Sequence, residues 1–502
     1  MEGSAVSDIS TLTPDDFSIA RNKTASIPAP GGEPVIGVLD TPFDDRVYFA
    51  DWVEACDLIP SEITIDASEK RHGTAVSSII VDGPSIVPEL DDGCGRFRVR
   101  HFGVATGRRS SAFSFMRNVR DIVEQNRDIK VWNISQGSVR EIARNFMSPE
   151  GATLDELQSR FDDIVFVVAG TNQTKAGQEK IGAPADSINS LVVNATSFCG
   201  KTASYARQGP VLDFFKKPDV CAIGGDSDKR MPVCTATGQY LMAGTSFAAP
   251  WIARKMAYLM QVMGLTREVA KALIIDSAAG WDYRASPRRG YGQVPVRIED
   301  VVQSCDDEIK FTLTGTSEAY ATYNYGIPVP IAKKKHPYIA RVTLCYFPQC
   351  DRRQGVDYTS AEMDLHFGRI NDKGTIQPLD NNRQGEEGFM TTEEVARKNY
   401  RKWDNVKHIG EEPKENGRER KAYSTGMWGI KIRATRRGDG PDRKARALRF
   451  GVVVTLREIN GVNRIDDFIQ RCSLRGWIVN RIDVRTSVDI YNTAEVDIDF
   501  DE

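Results

Sequence analysis

Three side chains far apart in a chain of 502 residues, Asp40, His72 and Ser246, could together attack and cleave an acyl bond. Ser246 lies in A-G-T-S-F-A-A-P at residues 243–250. There Gly244 permits a tight turn, and Ala248, Ala249, Ile252, Met256 and Leu259 have helical spacing. A hydroxyl at a helix start sits among unpaired N–H groups and at the positive end of the dipole, where negative charge developing on a substrate oxygen could be met. Taken alone, Thr245 and Ser246 are read more readily as N-caps, the commoner role of such residues before an apolar helix. A nucleophile also needs a base, an acid that orients the base, and a donor for the oxyanion.

The surrounding elements place candidates for each. The run V-I-G-V-L at residues 35–39 reads as a parallel strand buried on both faces, with Asp40 at its carboxyl end, the edge where ligands collect in open α/β sheets. In residues 71–81, Ala75, Val76, Ile79 and Ile80 have helical spacing, and His72 and Gly73 stand at the amino end. The other histidines, His101, His336, His366 and His408, lack a comparable setting of small residues. Strand-like runs at 98–104, 130–135, 164–169 and 191–195 alternate with helical ones at 113–123 and 154–161. That alternation predicts a doubly wound α/β fold with a parallel sheet. The loops N-I-S-Q-G (133–137) and A-G-T-N (169–172) follow strands, and G-A-P-A-D (182–186) reads as a surface loop. A second helical run near 268–277 follows the serine segment, and the α/β domain is expected to span 33–302 after an N-terminal arm, 1–32.

From Glu308 the texture changes to alternating or β-branched runs at 339–346, 428–434, 449–456 and 477–488, with a closing strand at 496–500. This predicts an antiparallel β-sandwich domain over 308–502. Residues 397–421, rich in charge and glycine, read as a long hairpin loop, and a second basic cluster runs from 433 to 449. Acidic residues interleave with basic ones through 404–419, so a solvated mixed-charge face is expected there rather than a nucleic-acid site.

Composition restricts the function classes further. Forty per cent apolar residues, 27 per cent charged residues and a net charge of -3 describe an ordinary globular chain with no global attraction to nucleic acid or acidic membranes. Nine cysteines without a C-x-x-C pair read as reduced thiols rather than a disulfide framework or a zinc site. Residues 1–24 lack the apolar core of a signal peptide, and no run reaches membrane-spanning length. A cytoplasmic protein without metal or cofactor is expected.

V-L-D-T at 38–41, H-G-T at 72–74 and G-T-S-F-A-A-P at 244–250, in this order, resemble the three signature segments of the subtilases over roughly residues 33–302. The resemblance implies a serine endopeptidase with Ser246 as nucleophile, His72 as general base and then acid, and Asp40 orienting the imidazole. It also implies that residues 133–137 pair with the substrate backbone, with Ser135, Gln136, Gly137 and Gly170 at the binding cleft. Gln136 stands where the family usually has an apolar residue. The family's oxyanion asparagine follows directly after Ala-Gly, whereas here Thr171 intervenes before Asn172. Either Asn172 or Thr171 donates, and Asn172, whose amide reaches further, is preferred. The layout resembles intracellular bacterial subtilases with a C-terminal β-domain that sit beside an AAA-type ATPase in anti-phage modules, which implies an ATPase partner. The alternative is a catalytically silent subtilase-fold scaffold, for which the altered Ala-Gly-Thr-Asn loop speaks.

Overall fold

A computed structural model of the chain describes residues 27–477 apart from 107–110, 176, 282–285, 318–321, 380–391, 412–416 and 437–446. Its first part runs β1 (Val35–Asp40), β2 (Val53–Asp57), α1 (Ala67–Ile86), β3 (Arg98–Gly103), α2 (Ala112–Gln125), β4 (Val131–Ile134), α3 (Pro149–Arg160), β5 (Val165–Ala169), β6 (Leu191–Thr196), β7 (Val220–Ile223), β8 (Met231–Thr235), β9 (Gly238–Met242), α4 (Thr245–Ala257), α5 (Arg267–Ala279) and α6 (Ile298–Val302). Seven parallel strands form one sheet in the order β2-β3-β1-β4-β5-β6-β7. Because strand side chains alternate between faces, Ile36, Val38, Val165 and Val167 pack in one layer with Val76, Ile80, Ile252 and Ile274 of α1, α4 and α5. Leu39, Trp132, Phe166 and Val168 face the other way and meet Val119, Val123, Leu154 and Leu157 of α2 and α3. From β1 the chain passes to the edge strand β2, returns to β3 beside β1, and then crosses to β4 on the other side, so the order reverses between β1 and β4. That switch point opens a crevice beyond the carboxyl ends of the two strands, where Asp40 ends β1.

Two pieces carry no clear signature. The edge strand β2 is largely exposed and therefore lacks an apolar run. The β8–β9 hairpin covers α1, where Cys234 N donates to Ser78 Oγ at 3.0 Å.

The second part comprises β10 (Glu308–Ser317), β11 (Thr322–Ile327), β12 (Lys335–His336), β13 (Tyr338–Tyr346), β14 (Ala361–Ile370), β15 (Ile376–Pro378), α7 (Glu393–Tyr400), β16 (Val406–Gly410), β17 (Arg420–Lys421), β18 (Trp428–Arg436), β19 (Leu448–Glu458) and α8 (Ile465–Leu474). Two antiparallel sheets, β10-β19-β13-β16 and β11-β18-β14-β15, enclose Val342, Leu344, Met363, Leu365, Trp428, Ile430, Val452 and Val454. The expected strands at 339–346, 428–434 and 449–456 are β13, β18 and β19. Residues 1–26 of the arm, 437–446 of the basic cluster, all but the first residue of the expected strand at 477–488, and the expected strand at 496–500 lie outside the described residues. Residues 397–421 are not simply a loop: they contain the end of α7 and all of β16, which pairs with β13. Charge conceals this strand because Lys407 is buried in it, 3.4 Å from Glu362.

The sandwich docks on α5. Asp276, buried, accepts from Arg341 Nε at 3.0 Å, Thr343 Oγ1 at 3.2 Å and Thr455 Oγ1 at 3.1 Å. Gly451 lets β19 approach closely, since a Cβ there would stand 2.5 Å from Val269 N. Burial pushes the imidazoles of His336 and His408 from the usual 6.5 down to about 4. Their folded values are depressed, so the stability these neutral rings permit is complete above pH 6.5 and lost as pH falls toward 4. Fluorescence of Trp428, whose ring centroid lies 5.7 Å from that of His336, should report loosening of the sandwich in that window. A signal unchanged down to pH 4 would contradict the assignment.

Candidate active site

His72 and Gly73 do not stand at the helix's amino end, since α1 begins five residues earlier at Ala67. The motifs at the end of β1 and in the second turn of α1 lock into each other through backbone and hydroxyl groups. Gly73 N donates to Thr41 Oγ1 at 2.9 Å, and Asp44 N donates to Thr74 Oγ1 at 2.9 Å. At Gly73 the helix lies directly against β1: a Cβ would stand 2.1 Å from Thr41 O and 2.8 Å from His101 Cε1. This close approach brings His72 Nδ1 to 2.7 Å from Asp40 Oδ1. Gly73→Ala is therefore expected to displace α1, break the Asp40–His72 contact and lower the thermal midpoint by several degrees, about 1–3 kcal/mol of overpacking. Differential scanning calorimetry beside a peptidase assay checks this, and an unchanged midpoint would contradict it.

Asp40 is fully buried. Its Oδ1 also accepts from Thr41 N at 2.6 Å, while Oδ2 has no hydrogen-bond partner among the described residues. A buried carboxylate with an unsatisfied oxygen favours positive charge on its neighbour, here the imidazole. The His72 side chain is 13 % exposed, and its ring centroid lies 5.7 Å from that of Phe247, the residue after Ser246.

Ser246 stands in the first turn of α4, a helix buried along its whole length. Neither Thr245 nor Ser246 caps it, contrary to the local reading of the sequence. The N-cap is Gly244, which has no side chain, and the Thr245 N–H is taken by Asn172 Oδ1 at 3.0 Å. Pro250 has no N–H to offer the Ser246 carbonyl one turn earlier. That carbonyl accepts instead from Ser135 Oγ at 3.0 Å, and Ser246 Oγ donates to Ser135 O at 2.9 Å. Ser135 is itself held by Asn133 Nδ2 at 2.9 Å. The serine and proline of the motif thus fix α4 to the loop after β4.

The loop after β5 separates its two candidate donors. Asn172 Oδ1 accepts from both Thr245 N and, at 2.9 Å, Thr245 Oγ1. This fixes the amide with Nδ2 turned toward Gly244, where a Cβ would lie 3.1 Å from it. Thr171, at φ 68°, points elsewhere: its Oγ1 accepts from Gly182 N at 3.0 Å, and its Cγ2 occupies the space a Gly137 Cβ would need. Gly170 N donates to Val193 O at 2.8 Å, and a Cβ there would press on Asn194 Oδ1 at 2.7 Å. Gln136 is buried, and neither end of its amide has a hydrogen-bond partner among the described residues.

G-A-P-A-D is not a surface loop. Residues 182–186 are buried beneath the cleft, and their polar groups are satisfied internally. Ala183 O accepts from Ser138 N at 2.6 Å, and the Asp186 carboxylate accepts from Ser148 N and Ser148 Oγ, both at 2.6 Å. Two residues of the neighbourhood carry no independent sequence signal: Thr245, which orients Asn172, and Asn133, which holds Ser135. Among the described residues no group of three His, Cys, Asp or Glu side chains could hold a metal ion, and no helix is long and apolar enough to cross a membrane.

A doubly wound seven-stranded parallel sheet with helices on both faces has the layout of the subtilisin-like α/β fold. A family model described as the subtilase family matches residues 31–296, more than half of the chain, and the chain belongs to that family. Among solved structures it is similar to the protease domain of PatA, at 22% identity, TM-score 0.42, over 53% of this chain and 93% of that one. The prenylagaramide maturation protease PagA shows 21% identity and TM-score 0.41, over 53% of this chain and 92% of that one. The epidermin leader peptide processing serine protease EpiP from Staphylococcus aureus shows 16% identity and TM-score 0.43, over 54% of this chain and 76% of that one. No match was found among curated proteins.

Proposed function

We propose that the chain is an intracellular serine endopeptidase in which Ser246 attacks the peptide carbonyl, His72 carries the proton and Asp40 orients and stabilises the imidazolium. The observation that carries this reading is the 2.7 Å contact between His72 Nδ1 and the buried Asp40 carboxylate. With Nδ1–H held by Asp40, Nε2 is the basic nitrogen. The Ser246 hydroxyl, which rests on Ser135 O, turns to Nε2 as its proton leaves and its oxygen bonds to the carbonyl carbon. His72 then returns the proton to the departing amine, and water repeats the sequence on the acyl-enzyme.

Negative charge on the carbonyl oxygen is met by Asn172 Nδ2 and by the Ser246 N–H, which in the first turn has no acceptor within the helix. The two hydrogen bonds from Thr245 support Asn172 in this role, and the commitment of Thr171 Oγ1 to Gly182 speaks against Thr171. Residues 135–137 and Gly170 flank the extended substrate by strand addition. The likeness of the layout to subtilases that sit beside an AAA-type ATPase supports restraint by such a partner. Purified full-length protein should cleave casein or a peptide library, and Ser246→Ala should not. Equal cleavage by both, or none by either, would leave the scaffold reading.

A further inference from the structure

We propose that Tyr358, which belongs to the β-sandwich, is a positioning residue for the oxyanion loop, acting through Asp155 and the buried segment 182–190. The inference rests on the reading of Ser246 as nucleophile and Asn172 as oxyanion donor.

Tyr358 lies between β13 and β14 but packs in the core of the α/β part, in the layer that contains Leu154 and Leu157 of α3. It is 1% exposed, and its hydroxyl donates to Asp155 Oδ2 at 2.6 Å. Asp155, on α3, is fully buried. It accepts three further hydrogen bonds, from Ser187 Oγ at 2.6 Å, Ile188 N at 3.0 Å and Asn189 N at 2.8 Å. No cation takes part in these bonds, so neutral donors stabilise whatever charge the carboxylate holds, and the Tyr358 hydroxyl is the only one of the four that comes from the sandwich. The sandwich also grips the same segment elsewhere: Asn189 Nδ2 donates to Pro348 O at 3.0 Å, and Asn405 Nδ2 donates to Asn189 Oδ1 and Ile188 O, both at 3.2 Å.

From there the segment runs back to the cleft without slack. Ser187 N donates to Pro184 O at 3.0 Å and Ala185 N to Gly182 O at 2.9 Å. Gly182 N then reaches Thr171 Oγ1 at 3.0 Å, and Ala183 O accepts from Ser138 N at 2.6 Å. Thr171 is the sensitive end of this path. A β-branched residue at φ 68° holds that conformation only where its surroundings impose it, and the contacts that impose it here are Gly182 N and Gly137. The same backbone turn sets where the next residue, Asn172, aims its amide. Close-packed interiors transmit small displacements, so loosening segment 182–190 tilts the donor rather than unfolding the loop. The sandwich thereby acts on the catalytic step itself and not only on substrate access.

The test is a double-mutant cycle in the full-length protein with kcat and KM measured separately. Tyr358→Phe keeps the ring and should lower kcat about tenfold, with KM within about twofold of wild type. In an Asn172→Ala background the same substitution should lower kcat by less than about twofold, because the amide it positions is gone. Asn405→Ala, which removes a neighbouring brace without touching Tyr358, should show the same sign and the same dependence on Asn172. Equal effects in both backgrounds, an effect on KM alone, or no effect on kcat would overturn the inference while leaving the peptidase reading intact. A wild-type protein that neither cleaves peptides nor reacts at Ser246 would remove both.

Discussion

His72→Ala is expected to lower kcat/KM by about 10⁴ to 10⁶ while the protein remains folded, as judged by far-UV circular dichroism and a cooperative thermal transition. The size follows from geometry. His72 stands between a fully buried carboxylate and the residue that follows the serine, with no other titratable ring so placed among the described residues. His101, the nearest alternative, is buried and already engaged through both ring nitrogens, with Ser77 Oγ at 3.0 Å and Thr41 O at 2.7 Å. Burial also lowers its pKa, which removes it further from service as a proton carrier. Alanine in the second turn of α1, which begins at Ala67, is well tolerated by a helix, so the loss should fall on chemistry more than on folding. Activity within about tenfold of wild type would show that the proton travels by another route.

Asn172→Ala should cost about 10² to 10³ in kcat with little change in KM, because the donor acts on charge that exists only in the transition state. Thr171→Val should cost about ten- to thirtyfold, less than Asn172→Ala, acting through the lost Gly182 N contact rather than through a missing oxyanion donor. The contrast is informative because the chain places both residues after Ala-Gly, and tertiary hydrogen bonds distinguish them, from Thr245 to Asn172 and from Gly182 N to Thr171. Steady-state kinetics on one peptide substrate decides it. The reverse order of effects would move the oxyanion role to Thr171.

The three catalytic candidates were legible because their motifs consist of residues that make contacts within and between short segments. Thr41, Gly73 and Thr74 interlock β1 with α1 through backbone groups, so D-T and H-G-T have a structural reason to be what they are. The runs of β1, β4, β5 and β6 were legible because burial on both faces makes them mostly apolar, with Asp40, Asn133, Asn194 and Thr196 as the exceptions. What the chain concealed depends on partners far away in sequence. Strand β16 is masked by Lys407, which is tolerable inside because its ammonium meets Glu362 and the Arg401 carbonyl. The segment 182–186 looked like surface because its turn residues are those of a loop. It is buried because Thr171, Ser138 and Ser148 satisfy it from three other segments. The start of α4 misled in the same way: its first N–H is capped by Asn172, 73 positions earlier. Turn propensity and capping preference report local chemistry, and here tertiary hydrogen bonds replaced it.

The central claim, that Ser246 is activated by the Asp40–His72 pair, is tested most directly by reaction with a fluorophosphonate. Intact mass and peptide mapping of the full-length protein should find a single adduct on Ser246, absent from His72→Ala treated in parallel. A folded wild-type protein that takes up no label, or takes it up on another serine, would contradict the account.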